Sequence, residues 1–277
     1  GMDLGDTLWA GLEKLVYFVL FPALLFNALA RTRIDFATAA PLIASGAAAT
    51  VCGIALALLA RPLFRQDGSA FASRFQCAFR FNSYIGLAVL GKLHGAAGIA
   101  TMGLLIGAMV PLVNLASVWM LARQGNLGVG REMARNPLVL ASLAGFAFST
   151  SGLTLPDFAS HFLGRLGDAA VALGLLAVGA ALRLRGPTGS PLGSCYLLAV
   201  KLIAVPAAAL LVALSLGLGR VHLDAAVLFA ALPTATSAYI LTQRMGGDGA
   251  GVAWLVSANT LAAMATLPVW LSIVLRY

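Results

Sequence analysis

Residues 229–244 read Phe-Ala-Ala-Leu-Pro-Thr-Ala-Thr-Ser-Ala-Tyr-Ile-Leu-Thr-Gln-Arg. They close an apolar run, 224–243, that is long enough to cross a bilayer. The middle of that run holds Pro233 followed by Thr234, Thr236 and Ser237. Proline lacks a backbone donor and clashes with the preceding turn, so a helix breaks or kinks here. Backbone groups freed at membrane depth survive only where they are buried in protein or line a wet cavity. A break flanked by hydroxyls is how secondary transporters hold a solute near the midplane. The stretch therefore predicts half of a solute site inside a membrane.

The rest of the chain fits that setting. Of 277 residues, 60% are hydrophobic and 10% charged, and the mean hydropathy is +0.93. Soluble domains carry roughly 25% charged residues, so the composition predicts a polytopic, all-α membrane protein. The net charge of +8 is spread between apolar runs rather than gathered in a patch, which argues against nucleic acid as a partner. Cys52, Cys77 and Cys195 match no metal or redox spacing and are expected to pack. Gly1 before Met2 has the look of a cloning scar.

Nine spans are predicted, at 12–30, 40–60, 72–92, 97–122, 137–153, 160–182, 195–218, 224–243 and 250–275. Arginines 61, 65, 74, 123, 131, 135, 183, 185 and 244 gather in alternate loops. Basic loops stay cytoplasmic, which puts the N-terminus inside and the C-terminus outside an inner membrane. Arg31 and Arg33 run against that bias. Spans three and eight share a layout: each is followed by a Gly-rich turn, 95–100 and 247–253, and another long apolar span. If spans one to four repeat as six to nine, the repeats are inverted and the fifth span has no partner. The expected organisation is a first repeat at 1–122 lacking its first helix, a basic cytoplasmic linker at 123–136, and a second inverted repeat at 137–277.

Span three is the counterpart of the opening stretch: Phe79-Arg80-Phe81-Asn82-Ser83-Tyr84-Ile85-Gly86-Leu87. Arg80, Asn82 and Ser83 interrupt it, and Gly86 frees the backbone. A charge in hydrocarbon costs about 2.5–3.5 kcal/mol on insertion scales. Arg80 therefore faces a cavity or an anion, or else snorkels to the cytoplasmic surface; both remain open on sequence alone.

Several stretches in order resemble the auxin efflux carrier family of the bile acid/auxin transporter superfamily. They are Leu12 to Phe26, Asn136-Pro137-Leu138-Val139-Leu140, Lys201-Leu202-Ile203-Ala204-Val205-Pro206, and Leu232-Pro233-Thr234-Ala235 with Gln243-Arg244 and Gly247-Asp248. The resemblance implies a five-plus-five design in which two broken helices cross, here spans three and eight. It also implies carriage of small organic anions, auxin-like or carboxylate, without ATP, and dimerisation through scaffold helices. Ala88 after Gly86-Leu87 departs from the family's frequent proline, and Thr234, Thr236 and Ser237 stand where plant members place Asn.

Half-helix N-termini carry positive partial charge and favour a carboxylate. The expected substrate-binding residues are Arg80, Asn82, Ser83, Gly86, Pro233, Thr234, Thr236 and Ser237, with Asn27 and Asn114 as secondary candidates. The hydroxyls bind solute or merely re-satisfy the broken backbone. The lone amides of Asn27, Asn114 and Asn259 bind or act as interhelical glue. Asp168, with Arg165 on the same helical face, is the candidate proton carrier or a surface pair. His94, His161 and His222 fall at span ends. No nucleotide fingerprint, metal cluster or triad spacing is present. An organic-anion carrier without cofactor is expected, and not an enzyme. A sodium-coupled bile-acid-like symporter and a non-transporting receptor or scaffold are the alternatives.

Overall fold

A computed structural model describes residues 5–31, 36–65, 67–122, 137–180 and 190–277. The expected linker at 123–136 and the basic stretch 181–189 lie outside these residues. Among the described residues all regular structure is helical. The helices are α1 (Gly5–Leu15), α2 (Phe21–Ala30), α3 (Phe36–Phe64), α4 (Gly68–Phe75), α5 (Ser83–Ala122), α6 (Pro137–Thr150), α7 (Asp157–Ala180), α8 (Pro191–Ala199), α9 (Val205–Ser215), α10 (Arg220–Ala231), α11 (Ser237–Arg244) and α12 (Gly249–Val274).

By length and composition, four described helical stretches qualify as membrane spans: Ala39–Phe64, Gly68–Ala122, Pro191–Ser215 and Gly249–Val274. The expected spans at 72–92 and 97–122 part at Gly95, where the backbone leaves helical form between the two halves of α5. There φ is +58°, which glycine adopts without a Cβ penalty. The expected span at 137–153 is a helix of only 14 residues.

Two π-helical turns, Val16–Leu20 and Val200–Ala204, join α1 to α2 and α8 to α9. Pro22 follows the first and Pro206 the second. The amides of Phe21 and Val205 reach five residues back, to the carbonyls of Val16 and Val200. A widened turn there makes room for a ring that cannot donate and that would crowd an ordinary α turn.

Two packed groups make up the molecule. α2 packs on α6 and α7, while α3, α5, α9, α10 and α12 pack on one another. The groups meet where α2, α6 and α7 lie on α5, and the rings of Phe21 and Tyr84 stand edge to face at 4.1 Å.

Candidate functional site

α4 begins at Asp67, whose carboxylate accepts from the amides of Ser69 and Ala70. It tightens into a 3₁₀ turn at Gln76–Ala78 and then loses helical form through Asn82. Asn82 restarts the helix as the cap of α5, its Oδ1 accepting from the amides of Tyr84 (3.0 Å) and Ile85 (3.4 Å). On the other side α10 stops at Leu232, where ψ swings to 141°. The chain passes through Pro233 and resumes as α11 at Ser237.

These two interruptions touch. The Asn82 amide donates to the Pro233 carbonyl at 2.8 Å. The Thr234 hydroxyl donates to the Cys77 carbonyl at 2.7 Å, and Arg80 Nη2 donates to Ser237 Oγ at 3.1 Å. Gln76 Nε2 adds a bond to Thr242 Oγ1 at 2.9 Å. The rings of Phe81 and Phe229 pack at a tilt with centroids 4.4 Å apart. Gly86 lets the Leu232 side chain close in: a Cβ there would stand 2.8 Å from Leu232 Cδ1.

Arg80 is 7% exposed, Asn82 1% and Thr234 fully buried, so Arg80 does not snorkel to a surface. Arg80 Nη1 and Asn82 Nδ2 are buried and unpartnered among the described residues. No carboxylate there pairs with Arg80. A buried guanidinium without a counter-charge is costly, and an orphaned buried amide costs about 1–3 kcal/mol. Both costs fall if a carboxylate enters, because a planar fork and an adjacent amide are what such a group accepts from.

The expected site residues divide into those with committed hydrogen bonds and those without. Thr234 spends its hydroxyl on the backbone of the opposite break, and the Ser237 hydroxyl accepts from Arg80. Thr236 stands at the start of α11 without capping it. Ser83 and Thr236 are half-buried, while Gly86 and Pro233 are buried. Asn27 is buried with its Oδ1 unpartnered and lies near Gly164 of α7, in the other group of helices. Asn114 is half-buried on α5. Asp168 is exposed, unlike every residue at the crossing.

Sequence alone missed three features. Gln76 is wholly buried within the joined breaks, with its Oε1 unpartnered. Lys201 is 1% exposed and donates to the Ala230 carbonyl at 2.8 Å, on the last turn of α10. Two polar clasps close the ends of the crossing. At one end Arg74, 2% exposed, pairs with Asp248, whose Oδ1 also caps α12 through the Gly251 amide. At the other, Asp224 accepts from Arg220 (3.1 Å) and meets His94 (2.8 Å), beside a cleft of about 190 Å³. A Gly-Asp turn and a lone His are the only sequence traces of these clasps.

An all-helical, multi-pass chain whose interrupted helices meet around unpartnered buried donors belongs to the class of membrane transporters. The sequence model of the family described as membrane transport protein matches residues 123–271. The chain belongs to that family, the auxin efflux carrier type. It is also similar to a protein of Rhizobium meliloti (strain 1021) that bears the name "Putative malonate transporter". The two are 27% identical over 281 positions, 92% of this chain and 84% of that one.

Proposed function

We propose that the chain carries small organic anions, of the size and charge of malonate, by alternating access at the joined interruptions. The observation that carries this is the pair of unpartnered buried donors, Arg80 Nη1 and Asn82 Nδ2, beside the Asn82–Pro233 bond. Ser83 and Thr236 are half-buried beside them and complete the candidate site. The positive ends of α5 and α11 start from the same place and favour an anion. The name borne by the Rhizobium relative supports the substrate class.

Nine spans in two inverted repeats, 1–122 and 137–277, give the frame for alternating access. α1, α2, α6 and α7 form the scaffold, and the helices around the crossing move against it where Phe21 meets Tyr84. The N-terminus is cytoplasmic, the C-terminus lies outside, the membrane is the inner one, and two copies pair through scaffold helices. No carboxylate contacts either interruption among the described residues, which ranks the sodium-coupled symporter lower.

The test is uptake of radiolabelled malonate and other small carboxylates into proteoliposomes, with and without sodium. Sodium-independent, saturable uptake that disappears in Arg80→Met and Asn82→Ser is expected. Failure of every small carboxylate to be transported, or full transport by both variants, would overturn the proposal.

A further inference from the structure

Lys201 is the one fully buried ammonium among the described residues. It sits in the π-helical turn Val200–Ala204, and its Nζ bonds to the Ala230 carbonyl. Ala230 is three residues before Pro233, about 4.5 Å along a helix axis. The carbonyl end of α10 carries negative partial charge and attracts a cation. An ammonium has three donors, and the Ala230 carbonyl takes one of them. The other two find no acceptor among the described residues.

Among the described residues no charged side chain is paired with the protonated form. The elements packed on the turn are α3, α8, α9, α10, α12 and the 3₁₀ turn 76–78. α9 and α12 carry no titratable side chain. α3 brings Cys52 and the exposed Arg61; α8 brings Cys195 and Tyr196, whose hydroxyl donates to the Leu56 carbonyl. α10 brings Arg220, His222 and Asp224, and Asp224 is engaged by His94 and Arg220. The 3₁₀ turn brings Cys77. Among the described residues no ion pair reaches Lys201.

We infer that Lys201 is the proton-binding site that couples anion movement to proton movement, an inference that rests on the carrier reading. The amine takes one proton from water on one side as the anion enters and becomes an ammonium. The paired charges cross together. The ammonium then returns that proton to water on the other side as the anion leaves, so one anion and one proton move per cycle. The Lys201–Ala230 bond places this charge beside the break that holds the anion.

The experiment loads proteoliposomes with a pH-sensitive dye and imposes a malonate gradient, following malonate by radiolabel and protons by the dye. Wild-type protein is expected to move both together. Lys201→Met, which cannot bind a proton, and Lys201→Arg, which does not release one, are expected to lose proton movement at least tenfold. Both should still bind malonate in a thermal-shift assay. Malonate transport by wild type without protons would overturn the inference and leave the carrier intact. So would unchanged proton movement in either variant, or loss in Asp168→Asn with retention in Lys201→Met. Absence of any carboxylate transport by wild type would instead sink the carrier proposal itself.

Discussion

Asn82 performs two tasks with two atoms, and substitution separates them. Its Oδ1 caps α5 at the amides of Tyr84 and Ile85, while its Nδ2 is buried and unpartnered. Asn82→Ser keeps a competent cap, since Ser and Asn rank together at that position. It removes an orphaned amide that costs about 1–3 kcal/mol and leaves a small void that costs about 1 kcal/mol. The net change in stability is therefore near zero or slightly favourable. Asn82→Ala loses the cap as well, about 1 kcal/mol, which is about 2–4 °C in Tm. For an anion the two variants look alike, because both lack the amide donor. A hydrogen bond to a charged group is worth about 1.5–3 kcal/mol, so malonate affinity should fall about 10- to 150-fold in both. Calorimetric titration in detergent gives the affinity, and a thermal melt without ligand gives the stability. Wild-type affinity in Asn82→Ser would remove Asn82 from the site. Equal destabilisation by both variants would show that the cap is not what the oxygen contributes.

Other outcomes follow from the same geometry. Arg80→Met should leave Tm unchanged or raise it, because it deletes a buried charge with no carboxylate partner among the described residues; malonate transport should fall more than tenfold, as read by proteoliposome uptake. Asp248→Asn should cost about 3 kcal/mol in a denaturation series, since it removes the charge paired with the buried guanidinium of Arg74. His222 lies ahead of the span predicted to begin at Asp224, and partial burial holds its pKa below the usual 6.5. The folded form therefore binds protons less readily than the unfolded one. Stability should be full above pH 6.5 and should decline as pH falls through that value; a pH series of melting temperatures should lose this slope in the His222→Gln variant.

How much could be read in advance depended on how local each cause was. Pro233 announces its interruption because a missing donor and a ring clash act on the residues beside it. The first interruption has no proline. Arg80 and Asn82 betray it only as polar residues in an apolar run, and sequence could not decide whether Arg80 was buried or snorkelled. Burial comes from α10 and α11 packing across it, a matter of tertiary structure. The hydroxyl of Thr234 looks in sequence like a ligand group, yet it is committed to Cys77, 157 positions away. Lys201 sits among apolar neighbours that any lysine near a membrane surface could have. Only the fold of α10 over the π-helical turn encloses it. The ion pair of Arg74 with Asp248 spans 174 positions, so no sequence window holds both partners. The two π-helical turns were unforeseen, although Pro22 and Pro206 mark the places where an ordinary turn would be crowded.

One consequence of the second π-helical turn concerns light rather than transport. The Leu202 carbonyl in that turn, four residues before the donorless Pro206, accepts from the indole of Trp270 at 2.8 Å. Indole emission responds to charge and hydrogen bonding nearby, and Leu202 is bonded directly to Lys201 in the chain. With the other three tryptophans replaced, the colour of the Trp270 emission should shift with pH if the neighbouring lysine gains and loses a proton.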